Sequence, residues 1–349
     1  MKTRFIIILF PILFLCISCN PDRNNPARTD FANLFPEKTE SKCHILHVDF
    51  FLGKPYQIDI LNNQLIIIDI VDKKLMTLYN IDTKKNIQLF QNGNGPTDLV
   101  PPLYISRVTK EGIIGIFQRA TQTYSEYKLS NLLQGNIEPI KAITFKENVD
   151  QLVPINDNYY IGCGVLENGS ACMFDKTGKS VKTYTNTYPD FINNIKNPSD
   201  RYINGQQLIS FNNKANTLLF ASIFNGYINI FNLEKNNLNN SFEYAPTISP
   251  LEKNILNNKE YKPSGEDIIY FDNIYSTQNN FYLLYNGNAL NNQSTTESNI
   301  FQFNSEGKPI RSINLDKKIL DFCVDEKNQK IYGISLSDEL DYVIIEIKI

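Results

Sequence analysis

The chain has 349 residues, 42% of them apolar and 20% charged, a balance that suits a globular core and excludes a disordered or collagen-like chain. The formal charge is −3, and no Arg/Lys cluster or basic stripe occurs, which argues against nucleic acid as a partner. The aromatic residues are 22 Phe and 19 Tyr with no Trp, and short Asn/Asp/Lys/Gly clusters recur throughout, as tight turns between short strands require.

At the N-terminus, Lys2 and Arg4 precede an apolar run from Phe5 to Ile17. That run is too short to span a bilayer and is the right length for a signal-peptide core. The segment Cys16-Ile17-Ser18-Cys19 resembles the lipobox of bacterial lipoproteins, although Cys16 stands where that family usually has Leu. The resemblance implies a signal peptide over 1–18, lipidation at Cys19, and a membrane partner reached through the acyl chains. More than one chain makes such an anchor durable. Asn20 follows Cys19 in place of the Asp that holds many such proteins at the inner membrane, so the expected location is the cell envelope at the outer membrane. Residues 19–42 are polar, carry Pro21, Pro26 and Pro36, and read as a flexible tether. The domain is then 43–349.

Within it, a polar turn followed by a short apolar strand recurs six times. The turns are Asn62-Asn63-Gln64, Lys110-Glu111-Gly112, Asn156-Asp157-Asn158, Ala215-Asn216-Thr217, Gln278-Asn279-Asn280 and Asn328-Gln329-Lys330. Further strands flank each copy, and many carry an aromatic just before a polar turn (Tyr79, Tyr127, Phe174, Phe231, Phe303). Four short strands per unit at a period of about 50 residues are the signature of propeller blades. The expected fold is all-β, a six-bladed β-propeller, with one helix allowed around Leu251–Asn258. The sixth copy lacks a fourth strand because the chain stops at Ile349. An unpaired edge is a liability, so residues 44–50 are expected to complete the last blade.

The loop after the first blade contains Gly93-Asn94-Gly95-Pro96, followed by Thr97 and Asp98. It resembles the G-x-G-P-G-E loop of the TolB-like six-bladed propeller lipoproteins of Bacteroides-type bacteria, with the last two residues replaced. The resemblance implies the fold and an envelope location. The residues alone imply a sharp blade-to-blade turn, with two glycines free to adopt positive φ and a proline fixing the exit.

Catalytic signals are scarce. His44 and His47, the two histidines, are three apart in the presumed closing strand and point to opposite faces. No nucleophile elbow, metalloprotease helix or phosphate-binding loop occurs. Cys43, Cys163, Cys172 and Cys323 form no C-x-x-C pair, so neither a metal nor any other cofactor is expected. Cys163 and Cys172 flank an Asn168-Gly169 turn whose two-residue hairpin would set Val165 opposite Cys172, leaving buried free thiols. The long insertions, 186–207, 246–267 and 286–299, all fall on one face of the expected disc, and elaborated loops on a rigid scaffold are where binding sits. They contribute Tyr188, Asp190, Arg201, Tyr202 and Tyr261; Arg119 joins them from the second blade and Asp98 from the Gly-rich loop. Aromatics beside Arg suit a sugar, a peptide or a carboxylated ligand, whereas the plainer reading packs them onto the disc. The expected function is a non-enzymatic binding or interaction module for a glycan, peptide or envelope protein. The alternative is a hydrolase or lyase acting on carbohydrate or peptide through carboxylates at the channel mouth.

Overall fold

In the computed structural model, residues 27–349 are described, apart from 72, 108–111, 248, 259–260 and 294–295. The expected signal segment and Cys19 lie outside the described residues. The six copies fold as six sheets whose own strands lie antiparallel in chain order from the axis outward, four from each of the first five copies and three from the sixth. Blade 1 comprises Gln57–Leu61, Gln64–Val71, Lys74–Asn80 and Asn86–Gln91. The innermost strands of blades 2 to 6 are Leu103–Arg107, Asn148–Pro154, Gln207–Asn212, Ile268–Ser276 and Ile319–Asp325. Each contacts the inner strands of its two neighbours, which closes a six-bladed ring.

Local chemistry sets these elements. The runs rich in Ile, Phe and Tyr prefer a pleated surface. Asn62 and Asn63 both take positive φ, 49° and 59°, as a two-residue turn matched to strand twist demands. The core lies between the blades: Tyr79, Tyr127, Phe174, Phe231 and Phe303, the aromatics placed just before polar turns, are all buried there. Each removes a large apolar surface from water, worth about 1.5–3 kcal/mol for a Phe-sized side chain.

The ring closes as the chain's open end required. Cys43–Leu46 pairs antiparallel with Tyr342–Lys348, with Ile45 opposite Ile345 and His44 opposite Glu346. The closing strand is shorter than the expected 44–50, because the chain turns inward after Leu46 to reach the first inner strand. Along that path Phe50 packs against Tyr79 with ring centroids 5.5 Å apart, and Leu52 is buried. His47 is thus outside the strand, and both histidines are exposed.

The tether boundary needs correction. Ala27–Thr29 pairs parallel with the outer strand of blade 4, Asn237–Pro246, and Glu37–Ser41 pairs parallel with that of blade 5, Pro309–Leu315. Between them Phe31 and Phe35 are buried among aromatics of blades 4 and 5; Phe35 lies 4.5 Å from Phe301 and 5.3 Å from Phe303. Ser41 Oγ then donates to Lys348 O, and the Cys43 N–H to Asp316 Oδ1 at 2.8 Å, carrying the segment onto blade 6 without a gap. Residues 27–46 are a belt around three blades. A polar strand such as EKTES can join a sheet edge because the edge supplies backbone partners whatever the side chains are.

The three long insertions sit on one face, as expected, and carry more helix than the sequence suggested. Pro250–Asn257 matches the allowed helix and is capped by Ser249, whose Oγ accepts from the Glu252 N–H at 3.3 Å. Asp190–Asn193 and Pro198–Gly205 were not foreseen. The second begins where Asn197 accepts from the Ser199 and Asp200 N–H groups, with Pro198 in the first turn.

Candidate functional site

The ring's axis is a channel of about 190 Å³ lined by all six inner strands. Side chains stitch every seam of that wall. Gln57 exchanges hydrogen bonds with Ile105, its Oε1 accepting at 2.7 Å; Ser106 Oγ donates to Leu152 O at 2.7 Å; Gln151 Oε1 accepts from Ile209 at 3.3 Å. Ser276 Oγ donates to Phe211 O at 3.0 Å, Asn273 donates to Asp321, and Asp321 accepts the Ile58 N–H at 2.6 Å. Asp59 accepts the Tyr275 hydroxyl at 2.8 Å, bridging blades 1 and 5 across blade 6. Burial pushes the Asp321 carboxyl well above the usual range, with the nearby Asp59 adding to the effect. Asp272, exposed at the mouth, accepts from Asn286 at 2.8 Å.

Bulges in the inner strands shape the mouth on the long-loop face. One interrupts blade 3 between Val149 and Gln151, and another blade 5 between Phe271 and Asn273, so the odd residues are Asp150 and Asp272. Bulges re-aim side chains in this way near functional sites. Asp150, almost wholly buried, becomes the hub of a polar cluster. Arg119 approaches from the hairpin of blade 2, its Nε 2.5 Å from Asp150 Oδ1, and Tyr202 of the helix Pro198–Gly205 donates its hydroxyl to Asp150 Oδ2. Tyr104, on the channel wall, also hydrogen-bonds the guanidinium. Burial opposes the charge on Arg119, but Asp150, Tyr202 and Tyr104 outweigh it and favour the cation. Burial and Asp150 together hold the Tyr202 hydroxyl protonated.

The structure thus joins two of the sequence-selected residues, Arg119 and Tyr202, through Asp150 and Tyr104, which the sequence did not single out. The remaining candidates do other things. Arg201 donates to Leu166 O at 2.9 Å, Glu167 O at 2.7 Å and Ile195 O, clamping its helix to blade 3. Tyr188 packs with Ile192, Ile195, Leu251 and Ile255 beneath the capping helices. Tyr261 donates to Asp267 at 2.7 Å and orders its own loop. Asp98 accepts from the Gly95 N–H at 2.9 Å, and a Cβ on Gly93 would fall 2.4 Å from Asp98 Oδ2, so this carboxylate shapes the glycine-rich turn. Asp190 remains exposed and apart from the cluster.

All four cysteines of the domain are free. The hairpin register differs from the expected one, with Gly162 rather than Val165 opposite Cys172, which puts Cys163 and Cys172 in different blade interfaces. Among the described residues, no group of three or more His, Cys, Asp or Glu side chains could hold a metal, and no helix is long and apolar enough to cross a membrane.

Comparison with known proteins bears on the fold. A protein of Bacteroides fragilis described as exported superimposes with a TM-score of 0.60 at 12% identity, over 90% of this chain and 98% of its own. A DUF4221 family member from Bacteroides vulgatus superimposes at 0.53 and 13% identity, over 88% and 96%. No curated protein matches. The family described as TolB-like 6-blade propeller-like matches residues 33–327, and the chain belongs to it.

Proposed function

We propose that the chain is a cell-envelope lipoprotein, anchored at the outer membrane through Cys19, whose propeller is a binding module with the long-loop face as its working surface. One observation carries the choice of face. Leu340, Phe51 and Leu256 are the most exposed large apolar side chains of the described residues, at 76%, 70% and 66%, and all three lie in connections of that face. Apolar exposure concentrated on one surface marks an interaction site. The description of the B. fragilis neighbour as exported supports the envelope location, together with the signal-type start of this chain.

Binding is favoured over hydrolysis by the state of the channel acids. Asp59 and Asp321 each accept hydrogen bonds from the protein, which engages them in holding the blade seams. A thermal-shift screen of the purified protein against glycans and peptides tests the role. A gain in Tm with one class, abolished by Leu256→Glu with Leu340→Glu, is expected; no gain with any class counts against it. Cys19→Ser is expected to release the protein from the membrane fraction, and retention there would refute the anchor.

A further inference from the structure

Pairing of the belt with blade 4 limits where a lipid anchor can sit. Seven residues separate Cys19 from Ala27, the first residue of the strand Ala27–Thr29. Those eight peptide steps span at most about 28 Å, whereas a tether free as far as residue 42 would span about 80 Å. The short leash starts at one end of the blade. Ala27 lies opposite Tyr244 and Thr29 opposite Pro246, the last residue of the outer strand, where the long insertion begins. The other end of that strand, the Lys235-Asn236 turn, is eight residues back from Tyr244, about 26 Å along the edge. Pro26 has no N–H with which to extend the pairing in that direction. A bilayer across the Lys235-Asn236 end would take nearly the whole leash; one across the long-loop end takes little of it.

What the long-loop end presents suits a lipid surface. Four residues after Pro246 the chain enters the helix Pro250–Asn257, whose Leu251 and Ile255 are buried with Tyr188, Ile192 and Ile195. Leu256 is left outside, 66% exposed, and Lys253 is exposed one turn earlier. An apolar tip beside a lysine fits a membrane interface, where the apolar group enters the acyl boundary and the ammonium stays with the phosphates. At the other end of the blade the exposed turn residues are polar: Asn213, Lys214, Lys235 and Asn236. We propose that the long-loop end of blade 4, with Leu256 at its tip, is held against the bilayer that carries the Cys19 acyl chains, and that the belt sets this orientation. The inference rests on the Cys19 anchor and gives the long-loop face a lipid surface as its partner. One leucine is too little to hold a propeller on a membrane, so the leash supplies the proximity.

The chain has no Trp, so a single introduced one reports only its own surroundings. The lipidated full-length protein, carrying Leu256→Trp or, at the opposite end of the blade, Lys214→Trp, is reconstituted in phosphatidylcholine vesicles with brominated acyl chains. Both positions are exposed, and Tm should be unchanged. Quenching of Leu256→Trp is expected to exceed that of Lys214→Trp at least threefold. Inserting twenty Gly/Ser residues after Asn25 should at least halve the Leu256→Trp quenching, because the longer leash no longer enforces contact. Equal quenching at the two ends, stronger quenching of Lys214→Trp, or quenching that the insertion leaves unchanged would overturn the orientation and leave the anchor standing. Absence of the protein from the vesicle fraction would overturn the anchor, and the inference with it.

Discussion

Blades 4 to 6 and blades 1 to 3 solve the same edge problem in different ways. On one half, the outer strands of blades 4 and 5 are covered by residues 27–41, and blade 6 takes its fourth strand from Cys43–Leu46. On the other half, the outer strands Asn86–Gln91, Lys141–Thr144 and Ser180–Tyr184 have no further strand beside them among the described residues. They are six, four and five residues long, and they carry polar or charged side chains among the apolar ones, both of which discourage pairing with another chain. Closing the ring needs one borrowed strand; the rest of the belt adds aromatic burial between blades 4 and 5. The Arg119–Asp150 cluster lies on the unbelted half, between blades 2 and 3.

The sharpest break in this comparison comes from removing residues up to 46. Without the closing strand, Ile344, Ile345 and Ile347 lose their cover, and because native domains are stable by only about 5–15 kcal/mol, cooperative unfolding should vanish. Removing only residues up to 41 should leave a cooperative transition at lower temperature. Circular dichroism melts of the two truncations separate closure from reinforcement.

Next in size is the belt's aromatic anchor. Phe35→Ala should cost about 3–5 kcal/mol in urea unfolding, as a buried ring lost from a packed interface does. Val181→Ala, on the open edge of blade 3 and 47% exposed, should change stability by less than about 0.5 kcal/mol. Similar costs for the two would erase the distinction between the halves.

These elements differ in how legible they were. The six blades could be read because their strands are apolar runs punctuated by turn residues, and the closing strand because a chain ending on a third strand leaves an edge to fill. The belt could not, since EKTES has no apolar alternation and pairs through a backbone ladder with only polar side-chain contacts such as Asn314 to Glu40; Phe31, Leu34 and Phe35, a lone apolar cluster in a polar stretch, were the available signal. Asp150 escaped notice because a bulge is invisible in sequence, and its partner Tyr202 lies 52 residues away. Arg201 looked like Arg119 in sequence, and only the carbonyls around it reveal its structural task.

A smaller effect probes the seam where the belted half meets blade 1. The Asp321 carboxyl is raised by burial, so the folded protein holds its proton to higher pH than the unfolded chain. Its contribution is complete below the ordinary carboxylate pKa of about 4 and declines as pH rises through the folded value. The stability of the native protein relative to Asp321→Asn should therefore fall between acidic and neutral pH; a difference independent of pH would contradict the buried seam.

The smallest effect concerns the thiols. Cys163 on the open half and Cys323 on the belted half are fully buried, and Cys43 in the closing strand is pushed up to about 12 by burial and by Asp316. All three should resist alkylation at pH 8 and react once urea is added, because the thiolate is the nucleophile. Rapid native labelling of Cys43 would mean that the closing strand opens readily.

The belt itself is tested most directly by amide hydrogen exchange over residues 37–46 of the intact protein. Docked as a strand on blades 5 and 6, these amides should exchange as slowly as those of the outer strand Pro309–Leu315. Exchange at the rate of free chain would show that the segment is a tether after all, and that the two halves of the ring are edged alike.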